Sequence, residues 1–381
     1  MERTSITVRP RAPERIWDSG VFPYLFRAHG GTLAVAVFEK WERSERDQAI
    51  AVGHLVCSRD GGRSWAELVV ATPEDYPAFE GSAIELKDGR ILLFHYDARS
   101  RGQKGVFLGK LYRSDDGLRT LSPPETVRFS VPRAVGGHDD NGVPLDAIFI
   151  HRSVLEQADG SLILSAYGWF EEDNQASEYR STMSKFRAML LRSGDLGLSW
   201  EYVSTIASGP VGQEGFNEPV IVRLTRGRHA GRLVCLMRTG RENPIYQAES
   251  DDDGKTWGAP RELSWVYSRF GRSRPIVGTD PDLTEMADGT LVLSFGHKPD
   301  YRDDGIFLAF SLDQGSSWTE VTRLSSSPTC AYTSVREISP GVLFVTYSAR
   351  AEDIRPLPGV HYHNYRTVGQ VVEVRVERLS P

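Results

Sequence analysis

The chain of 381 residues has few cysteines, no long apolar run and no long basic run. Its three cysteines, Cys57, Cys235 and Cys330, lie far apart in apolar segments, which favours buried free thiols over disulfides or a metal site. No stretch approaches the roughly 18 apolar residues of a membrane-spanning helix. The net charge of −6 argues against nucleic acid or an anionic membrane as the main partner.

The amino-terminal segment lacks the apolar stretch of a secretory signal peptide, so a cytoplasmic location is expected. Long amphipathic helical patterns are also absent, and apolar β-rich runs take their place. Hydrophobic residues make up 40% of the chain, which is enough for a packed core. These features predict an all-β protein that forms a single domain over residues 1–381.

One phrase, Ser-x-Asp-x-Gly-x-Ser/Thr-Trp, recurs four times and indicates a repeat architecture. The copies begin at Ser58, Ser193, Ser250 and Ser311, and a fifth copy, Ser114-Asp115-Asp116-Gly117, has Leu121 in place of the Trp. Asp and Ser side chains can bind the N–H groups of a tight turn, and Gly supplies a positive φ. Each copy therefore predicts a hairpin turn held by its own side chains, with too few oxygen ligands for calcium.

A second phrase, a Gly followed by an apolar run, sets the number of repeats. It starts at Gly31, Gly89, Gly160, Gly231, Gly289 and Gly341. Six units of this size without helices are typical of a β-propeller, whose blades surround a central channel. The sequence thus predicts a six-bladed β-propeller.

Equivalent positions in the six units predict one cluster of side chains near the channel. Nine residues before each Gly, after correction for about four extra residues in the fourth unit, stand Phe22, Glu80, His151, Glu218, Asp280 and Tyr332. Five of these six residues are polar, in strands that otherwise are apolar. Converging buried polar groups are costly unless they serve a ligand, although they could also bind one another or channel water.

The repeats and the ring residues resemble the sialidase (neuraminidase) superfamily of six-bladed propellers with Asp-box hairpins. Asn217-Glu218-Pro219 and Leu236-Met237-Arg238 are similar to the segments that hold the catalytic Glu and a substrate-binding arginine. Ala331-Tyr332-Thr333 is similar to the segment with the nucleophilic Tyr. By the same resemblance, Arg302 corresponds to a second arginine and Asp47 to the acid/base residue.

The resemblance implies an exo-acting, retaining glycoside hydrolase for an acidic sugar, with a carbohydrate as its partner and no cofactor. A neutral Tyr332, deprotonated by Glu218 as it attacks, avoids repulsion by the sugar carboxylate. Arg238 and Arg302 would bind that carboxylate, with Glu80, His151 and Asp280 as further substrate contacts. Asp47 would protonate the leaving oxygen and later activate water.

Two departures leave other functions open. Val21, two residues before Pro23, stands where the family has its first arginine. Arg27 lies four residues after Pro23, roughly 13 Å along a strand. Arg27 could replace that arginine only if the strand bends. His151 beside Tyr332 would also suit β-elimination on a uronate, so a polysaccharide lyase is an alternative. A non-catalytic glycan-binding propeller is a further alternative.

Overall fold

The computed structural model describes residues 3–18, 20–43, 49–68, 82–138, 142, 144–267, 272–297, 305–325, 329–353 and 364–379. In that part of the chain the regular elements are 31 β-strands. The all-β class is therefore confirmed, whereas the six-bladed propeller stays a prediction. A search of the described residues found no helix with the length and apolar character to traverse a bilayer.

Most strands belong to antiparallel units of four strands each. The first unit comprises β3 (Val21–Arg27), β4 (Leu33–Arg43), β5 (Ala49–Ser58) and β6 (Ala66–Glu67). The second comprises β7 (Ser82–Glu85), β8 (Ile91–Phe94), β10 (Val106–Ser114) and β11 (Glu125–Ser130). The third comprises β15 (Ala147–Glu156), β16 (Leu162–Phe170), β17 (Arg187–Ser193) and β18 (Ser199–Ala207).

The chain continues with three further units of the same kind. The fourth comprises β19 (Asn217–Arg223), β20 (Leu233–Arg238), β21 (Tyr246–Ser250) and β22 (Arg261–Glu262). The fifth comprises β25 (Thr279–Glu285), β26 (Leu291–His297), β27 (Gly305–Ser311) and β28 (Thr319–Arg323). The sixth comprises β29 (Thr329–Ser339), β30 (Val342–Arg350), β31 (Tyr365–Leu379) and, from the start of the chain, β1 (Arg3–Pro10).

Short strands connect or flank these units. They are β2 (Glu14–Trp17), β9 (Asp97–Ser100), β12 (Ala134–Val135), β13 (Gly137–His138), β14 (Pro144–Leu145), β23 (Ser264–Tyr267) and β24 (Arg272–Pro275). Strand β9 pairs with both β10 and β15, and β11 pairs in parallel with β18, so the second and third units share one ten-stranded sheet.

The repeated Ser-Asp-Gly turns join the third and fourth strands of five units. In the first turn, Ser58 Oγ donates to Asp60 Oδ1 at 2.8 Å and accepts the N–H of Gly62 at 2.8 Å. Asp60 also accepts the N–H and the hydroxyl of Ser64, at 3.0 and 2.6 Å. The predicted turn, held by its own side chains, is thus confirmed.

The fifth copy corrects the sequence alignment by one position. Leu118, rather than Gly117, takes the place of the conserved Gly, because its N–H donates to Ser114 Oγ at 2.9 Å. Leu118 adopts a φ of 62°, a left-handed conformation that is costly for a residue with a Cβ. Its side chain is fully buried, and this apolar burial offsets the backbone strain.

These turns also pack one unit against the preceding one. A Cβ at Gly197 of the third unit would lie 2.5 Å from Phe94 of the second, and a Cβ at Gly254 would lie 2.2 Å from Leu190. The first unit contacts the sixth in the same way, since a Cβ at Gly62 would lie 2.5 Å from Phe344. Hydrogen bonds also join the first unit to the second, the fourth to the fifth and the fifth to the sixth, so the units follow one another in a closed series.

The interior is apolar, and two of the cysteines lie in it as predicted. Cys57 and Cys235 are free and buried, and burial raises the pKa of Cys57 to about 11. The side chain of Cys330 lies outside the described residues. Thiols held neutral by burial in this way are poor nucleophiles.

The first strands of five units contain the same backbone irregularity. The pairing register shifts there, and within each shift one non-glycine residue has a positive φ. These residues are Phe22 (56°), Arg152 (53°), Glu218 (44°), Asp280 (52°) and Ala331 (70°). Such bulges turn side chains and N–H groups away from the ladder and often flank functional sites.

Candidate active site

The bulges meet at one cavity of about 160 Å³. It is lined by Phe22, Tyr96, His151, Arg152, Tyr167, Glu218, Asp280 and Tyr332. All five ring residues that lie within the described part of the chain are therefore brought to one place. The spacing from the repeated glycines thus predicted residues that line one cavity.

Glu218 and Tyr332 lie side by side in the cavity. The hydroxyl of Tyr332 donates to Glu218 Oε1 over 3.5 Å. Arg238 Nη1 donates to the same oxygen at 2.7 Å and to the Tyr332 hydroxyl at 3.3 Å. One guanidinium thus contacts both members of the pair predicted to be nucleophile and base.

Arg238 also binds a second glutamate that sequence reasoning missed. Its Nη2 donates to Glu214 Oε1 at 2.7 Å, and Asn217 Nδ2 donates to the other oxygen of Glu214. The Glu214 side chain is 5% exposed and that of Arg238 is 13% exposed. The only hint in the sequence was that Glu214 stands four residues before Glu218, in a segment without the apolar pattern of a strand.

Asp280 lies opposite Glu218 and is 1% exposed. Its Oδ2 accepts Arg152 Nη2 at 2.5 Å and the N–H of Thr333 at 2.8 Å. Its own N–H donates to Glu218 Oε2 at 3.0 Å. Sequence reasoning also missed Arg152, although a charged residue within the apolar strand Ala147–Glu156 was a visible signal.

His151 faces the cavity with a defined tautomer. Its Nδ1 lies 3.2 Å from the carbonyl oxygen of Pro219, and a carbonyl can only accept, so Nδ1 carries a proton in this bond. Its Nε2 lies 3.5 Å from Asp280 Oδ1. Nε2 is therefore the nitrogen that the fold leaves for chemistry in the cavity.

Aromatic rings form the rest of the wall. Phe22 packs edge-on against Tyr332 with ring centroids 4.2 Å apart, which restrains the tyrosine ring. The hydroxyls of Tyr96 and Tyr167 are hydrogen bonded at 2.6 Å. Neither Tyr96 nor Tyr167 was identified from the sequence.

The environment of Glu218 shifts its pKa upward. Burial raises the pKa of Glu218 and the nearby carboxylates of Asp280 and Glu214 raise it further, whereas Arg238 and His151 lower it. A carboxyl with a raised pKa is closer to the neutral range in which a general base works best. Perturbed carboxyls in a cavity are also a recognised sign of a functional site.

Arg27 lies away from this cavity. It lines a separate space of about 270 Å³ that it shares with Glu85 and Arg336. In sequence it stands four residues before Gly31, and the same offset gives Glu85 and Glu337, whose carboxylates accept N–H groups from the turn of the preceding unit. Arg27 therefore occupies the position of a contact between units, and the structure does not bring it to the substrate cavity.

Three predicted site residues, Asp47, Glu80 and Arg302, lie outside the described residues, so their roles stay predictions. Val21, which the resemblance aligns with the family's first arginine, is 1% exposed and packs in the apolar interior. Of the described arginines, Arg152 lines the cavity and Arg238 contacts Glu218 and Tyr332, and both are bound to carboxylates.

The fold and site define an all-β repeat protein with a buried carboxylate and tyrosine pair in a cavity. A comparison with protein families is consistent with this description, since the profile of the BNR repeat-like domain matches residues 31–345. The chain belongs to this family.

A curated relative is a sialidase of Bacteroides fragilis (strain YCH46), 29% identical over 185 residues. That match covers 41% of this chain and 32% of the relative, so the chain spans about a third of the relative's length. Less than a third of the positions agree even within the matched segment.

Solved structures show the same fold at low identity. A protein of unknown function from Dyadobacter fermentans DSM 18053 superimposes with a TM-score of 0.68, 20% identity and coverage of 97% of this chain and 99% of that one. The Hadza microbial sialidase Hz136 superimposes with a TM-score of 0.66 and 16% identity, and the match covers 95% of this chain and 68% of that one. An α-L-arabinofuranosidase of Fusarium graminearum in complex with arabinobiose superimposes with a TM-score of 0.63 and 15% identity. That match covers 96% of this chain and 98% of the other.

Proposed function

We propose that the chain is a six-bladed β-propeller and a retaining glycoside hydrolase that removes a sugar from the end of a glycan. The observation that carries the catalytic proposal is the contact of Tyr332 with Glu218 beside Arg238 in one enclosed cavity. The propeller is supported by the closed series of four-stranded units. Relatives and structural neighbours named as sialidase and arabinofuranosidase support the class of reaction.

The pair has the geometry of an activated nucleophile. The Tyr332 oxygen attacks the anomeric carbon while its proton passes to Glu218 Oε1, and the bond to the leaving oxygen breaks. An acid, the role predicted for Asp47, protonates the leaving oxygen. Water then attacks the anomeric carbon and gives a proton to the carboxylate that protonated the leaving oxygen. The bond from sugar to Tyr332 breaks, and the proton on Glu218 returns to the tyrosine oxygen.

The experiment is a panel of fluorogenic glycosides that includes an α-sialoside, an α-L-arabinofuranoside and a uronide. Tyr332→Phe should abolish turnover of whichever glycoside the wild-type protein cleaves. Tyr202→Phe is the matched control, because the Tyr202 hydroxyl binds Thr205 at 2.9 Å outside the cavity. Unchanged turnover by Tyr332→Phe would contradict the proposal, and binding of glycans without turnover would favour a lectin-like role.

A retaining mechanism also predicts a trapped intermediate. A fluorinated glycosyl donor that slows the second step should leave its sugar on the peptide that contains Tyr332, measured by mass spectrometry. A label on Glu218 instead would assign the nucleophile to the carboxylate.

His151 supports a second candidate, a lyase that acts on a uronate. With Nδ1 held by Pro219, Nε2 could take the α-proton while Arg238 or Arg152 stabilises the substrate carboxylate. Such a reaction yields an unsaturated uronate that absorbs in the ultraviolet. Appearance of this absorbance with the uronide, dependent on His151, would separate elimination from hydrolysis.

A further inference from the structure

Asp280 is hydrogen bonded to both segments that hold the proposed catalytic pair. Its N–H donates to Glu218 Oε2 at 3.0 Å. Its Oδ2 accepts the N–H of Thr333, the residue after Tyr332, at 2.8 Å. A single residue of β25 thus connects the carboxylate on β19 with the tyrosine on β29.

The local backbone explains how Asp280 makes both contacts. A φ of 52° within the bulge turns its N–H out of the strand ladder and toward Glu218. Asp tolerates this left-handed conformation better than most residues with a side chain. Glu218 itself has a φ of 44°, so two neighbouring bulges aim their groups at each other.

Arg152 fixes the side chain of Asp280. The two form an ion pair of 2.5 Å, and their side chains are 2% and 1% exposed. Arg152 also lies 3.5 Å from Asp282, which anchors its other end. An ion pair buried this deeply holds a defined geometry, because either charge left alone in the interior would be strongly unfavourable.

We propose that Asp280, fixed by Arg152, is the positioning residue that holds Glu218 opposite Tyr332. The inference rests on the proposed role of that pair, and it assigns Asp280 a different task from the substrate contact predicted from the sequence. The N–H and Oδ2 of Asp280 are engaged with protein groups, whereas Oδ1 has no hydrogen-bond partner among the described residues and lies 3.5 Å from His151 Nε2. The two engaged groups are those that connect Asp280 to the segments of Glu218 and Tyr332, and the positioning role rests on them.

The test removes the negative charge of Asp280 while keeping the size of its side chain. Asp280→Asn keeps the backbone N–H and a side-chain oxygen for Thr333 but removes the negative charge next to Glu218. Among the described residues, the titratable and charged groups that face Glu218 are those of Arg238, Glu214, Asp280, His151 and Tyr332. Since the Asp280 charge raises the pKa of Glu218, the variant should titrate Glu218 at lower pH than the wild type.

Two measurements follow this titration in the full-length protein. One is ¹³C NMR of protein labelled at the glutamate carboxyl carbons, with the Glu218 signal assigned by its loss in Glu218→Gln. The other is the pH profile of kcat on the glycoside that the panel selects. We expect the acid limb to move to lower pH, and kcat to fall by about tenfold to hundredfold while KM changes far less.

Asp282→Asn is the matched control. Asp282 is equally buried and lies two residues further along β25, where it binds Ser334, Val335 and Arg336. It also lies 3.5 Å from Arg152, so the variant shares that neighbour with Asp280→Asn, but it has no hydrogen bond to Glu218 or to the Tyr332 segment. This variant should lose stability without moving the Glu218 titration. Arg152→Lys retains the positive charge but loosens Asp280, so it should lower kcat and leave the Glu218 titration near that of the wild type.

The outcomes are distinguishable. An unchanged Glu218 titration in Asp280→Asn, or an equal shift in Asp282→Asn, would overturn the positioning role. If Asp280→Asn does not fold, a kcat of Arg152→Lys equal to that of the wild type would overturn it instead. A shifted NMR titration together with full activity of Tyr332→Phe would support the positioning of Glu218 and reject the proposed nucleophile.

Discussion

Arg238 and Glu218 form a direct ion pair in which Nη1 of the arginine lies 2.7 Å from Oε1 of the glutamate. The other end of the same guanidinium binds Glu214. The sequence assigned this arginine to a substrate carboxylate, but here it already bridges two protein carboxylates. An acidic sugar would have to compete with them, so the acidic substrate stays a prediction that the glycoside panel decides.

The bridge by Arg238 gives the first prediction. Arg238→Met should lower the free energy of unfolding by about 3–5 kcal/mol, because it leaves two buried carboxylates without their cation. Arg238→Lys should recover part of that stability but little activity, since an ammonium group cannot span Glu214 and Glu218 as the planar fork does. Chemical denaturation and kcat/KM of the three proteins measure this. Equal activity of the Lys variant and the wild type would contradict it.

The titration of Glu218 gives the second prediction. The pKa of Glu218 is raised in the folded protein, so the protein is most stable where the carboxyl is neutral, and stability falls as pH rises above the ordinary value of 4.5. Glu218→Gln removes this titration. Its free energy of unfolding, relative to that of the wild type, should therefore increase from pH 4 upward. Parallel stability curves for the two proteins would show that the folded carboxyl titrates normally.

The repeated turns give a third prediction, in which stability is lost as pH falls rather than as it rises. Hydrogen bonds from Thr256 and Ser250 lower the pKa of Asp252 to about 2. A lowered pKa contributes stability that is present above the unfolded value of 3.8 and is lost as pH falls through about 2. Asp252→Asn should show a shallower loss of stability in this acid window. Thr256→Val should raise the folded pKa toward 3.8, so the loss should be smaller and should be complete at a higher pH. An unchanged acid limb in both variants would argue against the prediction.

Much of this cavity could be predicted from the sequence, because the repeat indicates which positions of the six units are equivalent. Counting back from each glycine placed Phe22, His151, Glu218, Asp280 and Tyr332 correctly at one cavity. Counting could not show which residue of each bulge takes the positive φ. In the third unit it is the residue after His151, and in the sixth the residue before Tyr332. A bulge shifts facing directions by one position, and its placement depends on tertiary packing.

The features of the fold and site that could not be predicted from the sequence are contacts between segments far apart in the chain. Arg152 is explained by Asp280, which lies 128 residues later in the chain. Arg27 could be assigned only once the contacts between neighbouring units were known. The outermost strand of the sixth unit is β1, from the start of the chain, which pairs with β31 at its end. Local patterns carry no information about such pairings.

The contact between the first and sixth units gives the last prediction. Gly62 has a φ of 93° and a Cβ there would lie 2.5 Å from Phe344, whereas Gly61 has a φ of 76° and no atom within 4 Å of such a Cβ. Gly61→Ala should cost about 1–2 kcal/mol of unfolding free energy, from backbone strain alone. Gly62→Ala adds a steric clash and should cost about 1–3 kcal/mol more. Denaturant unfolding of both variants measures the difference, and trimming the ring in Phe344→Leu should reduce it. An equal cost for the two glycines would mean that the series of units is not closed at this contact.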